Sequence, residues 1–241
     1  SEQQVRNEAV RIVAQVAIGH TDSDFRQDAV LTLTEMALQN NAVLSANILS
    51  MLKSFPPLDF NTSAIRNIEK FIFNGGHHLE EFIMLAGYLQ MKPTLSTAFH
   101  LYESKNDLRR AINLALARCG DKSRVQAVLQ SIREKPLNDD LVYDYAPILL
   151  YVRDKATFDY LLSLMLDDRK NCTPADAEIP GSILCGYRIM EYVAPLIKDF
   201  PIKINPLSGA LETDDYVKAL EQVRAWIKET NYNYQLITSV Y

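Results

Sequence analysis

Gly75-Gly76-His77-His78-Leu79-Glu80-Glu81 is the segment whose residue types come closest to chemistry, because neighbouring imidazole and carboxylate groups can ligate a metal ion. The chain has four histidines, His20, His77, His78 and His100, and only this cluster has glutamate beside it. A closed ligand set needs more donors than that. The expected structure is a glycine turn leading into a helix whose first turn carries Glu80 and Glu81 at the positive end of the helix dipole. No cofactor is expected. The alternative is a metal-dependent enzyme using the His77/His78/Glu80/Glu81 cluster, with His77, His78 and Glu81 as ligands. No serine-histidine-aspartate set, P-loop or glycine-rich dinucleotide signature occurs, so an enzyme is not the expected class.

Three cysteines, Cys119, Cys172 and Cys185, are too few and too unevenly spaced for a disulfide framework or a zinc site. Cys119 falls on an apolar helical stripe and reads as a small buried hydrophobe. Cys172 and Cys185 flank a proline-containing loop and can pair in an oxidising compartment; the sequence leaves that open.

Charge narrows the partners. The net charge is -5, whereas phosphate or anionic lipid is met by clustered Lys and Arg. Residues 106–134 are locally basic through Arg109, Arg110, Arg118, Lys122, Arg124 and Arg133. The next stretch reverses sign with Asp139, Asp140, Asp144, Asp154, Asp159, Asp167 and Asp168, so no continuous cationic channel is expected and nucleic acid is not an expected partner. No apolar run approaches the roughly 20 residues that cross a bilayer, and no signal-like segment opens the chain. A soluble protein is expected, cytoplasmic or exported after N-terminal processing, since the sequence begins at Ser1 and not at methionine.

The elements that must position such residues are helices. With 48% hydrophobic residues the chain can bury a sizeable core. Val5, Ala9, Ile12, Val13 and Val16 share one helical face, and so do Ile48, Met51, Leu52 and Phe55. Between them, capping oxygens from Thr21 to Asp24 precede a helix through Phe25, Ala29, Leu33 and Met36. Pro56 and Pro57 end the third helix. One apolar template then recurs: Leu79, Phe82, Ile83, Ala86; Leu95, Ala98, Phe99, Tyr102; Leu108, Ala111, Ile112, Ala115; Val125, Val128, Leu129, Ile132; Phe158, Leu161, Leu162, Met165. The joints are short, at Gly120 and Asp121, Pro136 to Asn138, and Arg153 and Asp154, and short joints fold neighbouring helices back on each other. From Leu95 to Val125 is 30 residues and from Val125 to Phe158 is 33, the length of a two-helix repeat.

Residues 168–181 read as a long loop. After it Ile183, Tyr187, Met190, Ala194 and Ile197 form a long helical stripe, a second loop passes Pro201, Pro206 and Gly209, and Thr213 caps a last helix through Tyr216, Leu220, Val223 and Ile227. Residues 231–241 form an ordered tail or fray. Tyr143, Tyr145, Tyr151, Tyr160, Tyr187 and Tyr192 concentrate in one region, mostly as helix packing, with contact area for a partner where exposed.

Leu108-Arg109-Arg110-Ala111 running to Leu116 and Cys119-Gly120-Asp121 resembles the first helix of a HEAT-type repeat, which opens on an aliphatic-arginine pair and ends in Gly-Asp. Val5-Arg6-Asn7-Glu8-Ala9 and Phe25-Arg26-Gln27-Asp28-Ala29 echo the helix start alone. The resemblance covers residues 1–167 as a pattern and is strongest over 79–167. It implies an all-α chain, a single α-solenoid of antiparallel helix pairs over 1–241, with N-terminal helices over 1–57, HEAT-like pairs over 58–167 and a less regular cap over 168–241. It implies further that the second helices line a concave side. With Leu95, Val125 and Phe158 as equivalent core positions, the opposite faces give a polar ladder: Ser96, His100, Glu103; Gln126, Gln130, Arg133; Asp159, Ser163, Leu166. The expectation is a non-enzymatic scaffold that binds a protein or peptide there.

Overall fold

The computed structural model describes residues 2–39, 41–175, 181–205 and 208–241. Residues 176–180 and Pro206, expected in loops, lie outside the described residues, as does the side chain of Arg6. The described chain is all-α, with twelve α-helices, no strand and three isolated antiparallel bridges. It divides into two compact units, one formed by residues 1–121 and 239–241, the other by 122–238.

Unit 1 holds α1 (Glu2–Ile18), α2 (Ser23–Ala37), α3 (Ala42–Leu52), α4 (Thr62–Asn74), α5 (Leu79–Tyr88), α6 (Lys92–Leu101) and α7 (Asn106–Arg118). The polar residues before the helices do the capping: Asp22 accepts from the Asp24 amide, Asn41 from Leu44 and Asn61 from Ala64. A 3-10 turn, Pro57–Asp59, starts on the second of the two prolines, and buried Asp59 accepts a hydrogen bond from Arg26 Nε at 2.9 Å. The face shared by Val5, Ala9, Ile12, Val13 and Val16 is turned to solvent. The inward face of α1 is Val10, Ala14 and Ala17, whose small side chains let α2 and α3 approach closely. The helix α4 has no counterpart among the expected stripes. It buries Ala64, Ile68, Phe71 and Ile72, so that Phe71 meets Phe82 of α5 with ring centres 3.9 Å apart.

The most extensive helix packing is between α5 and α7. Ala86, Gly87, Ala111 and Ala115 are all buried there, and small residues at such a seam allow backbones to come together. Cys119, expected to be buried, is half-buried: its thiol lies 3.7 Å from the Gly87 carbonyl, and desolvation pushes its pKa up to about 11.

Unit 2 holds α8 (Lys122–Arg133), α9 (Ala146–Val152), α10 (Lys155–Leu164), α11 (Gly186–Val193) and α12 (Tyr216–Thr230). A π-helical turn, Leu141–Tyr145, leads into α9. The stripe expected from Ile183 to Ile197 is broken. Ile183 pairs with Cys172 in an antiparallel bridge, α11 starts at Gly186 and stops at Val193, Ala194–Leu196 is a 3-10 turn, and Ile197 bridges to Leu236. The cause of the stop is Pro195, which cannot donate to the helix ladder and crowds the carbonyl four residues earlier. Gly186 sits at a close approach: a Cβ there would lie 3.2 Å from Leu220 Cδ2 and 3.4 Å from Met165 Cα. Asp215, and not Thr213, caps α12, accepting from the Val217 and Lys218 amides, while the Thr213 hydroxyl accepts from the Asp215 amide.

One joint recurs along the chain. Gln90, Gly120 and Arg153 each have positive φ, at 58°, 83° and 54°. After the first two, Met91 N–H bonds to Ala86 O and Asp121 N–H to Leu116 O, the six-to-one closure that satisfies a helix's last carbonyls. In all three places a lysine follows two residues later, Lys92, Lys122 and Lys155, and opens the next helix. Leu95, Val125 and Phe158, three residues further on, are completely buried. The boundary between the units falls one residue past the second joint.

Candidate functional site

The ladder positions are placed by this joint. Ser96 and His100 lie on α6 and Glu103 just beyond it, in unit 1; Gln126, Gln130 and Arg133 lie on α8, and Asp159 and Ser163 on α10, in unit 2. Seven of the eight are exposed, and Asp159 is half-buried. Within unit 2 the structure brings the sets on α8 and α10 together, because the Arg133 guanidinium lies 5.6 Å from the centre of the Tyr160 ring. Their hydrogen bonds are mostly local. Ser96 donates to Lys92 O, Ser163 to Tyr160 O, and Asp159 accepts from Lys155 Nζ at 2.7 Å and from the Tyr234 hydroxyl at 2.7 Å. Leu166, next along that face, is half-buried. Of the six clustered tyrosines, Tyr143 is well exposed, Tyr151 is buried and the others are half-buried packing residues.

The histidine segment forms the entry to α5. Gly75 and His78 both adopt positive φ, and Glu80 and Glu81 occupy the first turn. His78 Nδ1 lies 3.2 Å from Glu81 Oε1, and His77 is exposed. Among the described residues no group of three or more His, Cys, Asp or Glu side chains is placed to hold a metal ion. No described helix is long and apolar enough to cross a membrane. Cys172 and Cys185 are disulfide-bonded, which answers the question the sequence leaves open.

A second arrangement was not singled out by sequence. In unit 1 the residues Ser239–Tyr241 lie, outside any helix, against the ends of α3, α5 and α7. The Tyr88 hydroxyl donates to Ser239 O at 2.7 Å, and Arg118 donates to Val240 O at 3.1 Å. The Tyr241 ring meets Tyr88 edge-on at 5.5 Å, with Lys53 Nζ 4.7 Å and the Arg118 guanidinium 5.7 Å from its centre. Arg118 also stacks on Tyr88 at 5.0 Å. Burial raises the Tyr241 pKa to about 12, against the opposing pull of Arg118, and burial lowers that of Lys53. Tyr88 and Arg118 are buried and occupy matching places, two residues before Gln90 and Gly120. The available signal was a polar-tipped residue at the last turn of two amphipathic helices, since a buried Tyr or Arg there must find acceptors.

No protein-family model matches the chain, and no curated protein and no solved structure matches it.

Proposed function

We propose that this chain is a non-enzymatic interaction scaffold that binds a protein or peptide on the concave face of a HEAT-like helical array, the second helix of each pair supplying the contact surface. The observation that carries the proposal is the threefold recurrence of joint, lysine and buried apolar residue, at offsets of 30 and 33 residues. The residues one, five and eight positions after each buried residue are exposed on and after α6 and on α8, and on α10 Ser163 is exposed while Asp159 is half-buried. Mixed charge along that face suits hydrogen-bonded recognition of a polypeptide better than capture of a polyanion.

The test exchanges Gln130 and Arg133 for glutamate and compares the variant with the parent protein in a pull-down from native lysate. Both residues are exposed, so stability should change by less than about 1 kcal/mol, most of it the lost stacking of Arg133 on Tyr160. Loss of a stoichiometric partner supports the ladder. Retention of every partner by a folded variant moves the site elsewhere.

A further inference from the structure

The seat of Ser239–Tyr241 is built from donors aimed at peptide carbonyls. Tyr88 and Arg118 are both nine-tenths or more buried, and each spends a hydrogen bond on main chain of the segment, so neither contact depends on which side chains the segment carries. Selection comes from the third residue, whose ring is bracketed by Lys53, Tyr88 and Arg118. Ser239 and Val240 are exposed, and two hydrogen bonds and the packing of one ring stand against the ordering of three residues. The Tyr88 hydroxyl, with a single proton, has a second acceptor already in place in Phe55 O at 3.1 Å, and Arg118 retains its stack on Tyr88. Release therefore leaves the tyrosine donor paired.

We infer that this seat is a peptide-binding site filled in cis by Ser239–Tyr241. When that strap is out it takes a non-helical segment of another polypeptide, presenting two consecutive backbone carbonyls followed by an aromatic residue. The seat lies at the ends of α3, α5 and α7, whereas the unit 1 ladder positions lie on and just after α6, so it stands or falls independently of the ladder.

The experiment uses a fluorescent peptide copying residues 234–241, titrated by polarisation against the full chain and against a chain ending at Thr238. Removing an intramolecular competitor of high effective concentration should tighten binding by roughly tenfold or more. A peptide carrying Tyr241→Ala should bind the shortened chain roughly tenfold more weakly. Equal affinity for the two proteins, or equal binding of the two peptides, overturns the proposal. If the shortened chain loses its helical circular dichroism, the full chain with Tyr241→Ala takes its place, with the same expected and overturning results.

Discussion

In unit 1 the most extensively packed helix pair is α5 and α7, where Ala86, Gly87, Ala111 and Ala115 are buried, and beside these apolar faces stand single polar links such as Arg26 to Asp59. In unit 2 the helices α10, α11 and α12 are joined by discrete links. The disulfide Cys172–Cys185 closes the segment before α11, the Ile197–Leu236 bridge holds the chain after it, and Arg224 donates to Met165 O, Asp167 O and Asp168 Oδ1 at 2.7, 2.9 and 2.7 Å. Proline and loop composition account for the contrast. Where no residue interrupts the helical period, packing along the whole face suffices. Where Pro195 stops α11 at Val193, less apolar face is available and covalent, backbone and guanidinium links take over.

The largest expected effect breaks the packing side of this contrast. Ile112 is fully buried on α7, and Ile112→Asp places an unpaired carboxylate there, a loss of about 4 kcal/mol in urea unfolding followed by circular dichroism. A melting temperature equal to that of the parent protein would show that the α5–α7 seam is not what holds unit 1. Next comes the stitch in unit 2. The cysteines are 13 residues apart, so reduction, or Cys172→Ser, should lower stability by about 3 kcal/mol, read as a drop in melting temperature on adding reductant. Insensitivity to reductant would remove the disulfide from the comparison.

A pH titration sharpens the role of the Ser239–Tyr241 segment in unit 1. An unfolded tyrosine titrates near 10. The raised value of about 12 for Tyr241 means that its contribution is fully present below pH ~10 and is lost as pH rises toward 12. The carbon chemical shifts of Val240, compared on either side of that window with a Tyr241→Phe control, read the release; identical behaviour of the two proteins would exclude the phenol as its cause. The smallest effect concerns the joints. Gly120 has φ +83° with nothing within 4 Å of the place a methyl group would take, so Gly120→Ala meets only backbone strain and should cost about 1 kcal/mol in thermal unfolding. Gln90 and Arg153 already bear that strain at φ 58° and 54°, and a neutral Gly120→Ala would mean the joint relaxes.

How much was legible can be argued from particular residues. Pro56 and Pro57 mark the end of α3 because proline acts on its own chain, and the αL joints at Gly120 and Arg153 fall at the expected turns for the same local reason. The complete burial of Leu95, Val125 and Phe158 follows from their place in each period. The face of α1 was not legible, because Val5, Ala9, Ile12 and Val16 and Val10, Ala14 and Ala17 are two apolar stripes on one helix. Periodicity ranks the larger side chains first, while packing favours the smaller set that permits close approach. The exposed ladder positions follow from the period; the seat of Ser239–Tyr241 does not, since its parts lie far apart in sequence.

By itself, then, the sequence determined an all-helical chain, the joints at Gly120 and Arg153 and the buried positions of the recurring apolar template such as Leu95, Val125 and Phe158, all set by short-range sterics and apolar spacing. Only the tertiary structure decided which stripe of α1 turns inward, that Cys172 meets Cys185, and that Tyr88 and Arg118 close on the carbonyls of Ser239 and Val240. Those outcomes depend on which backbone groups arrive at a buried donor or thiol, and contacts between residues 122 and 151 positions apart leave no trace in local periodicity.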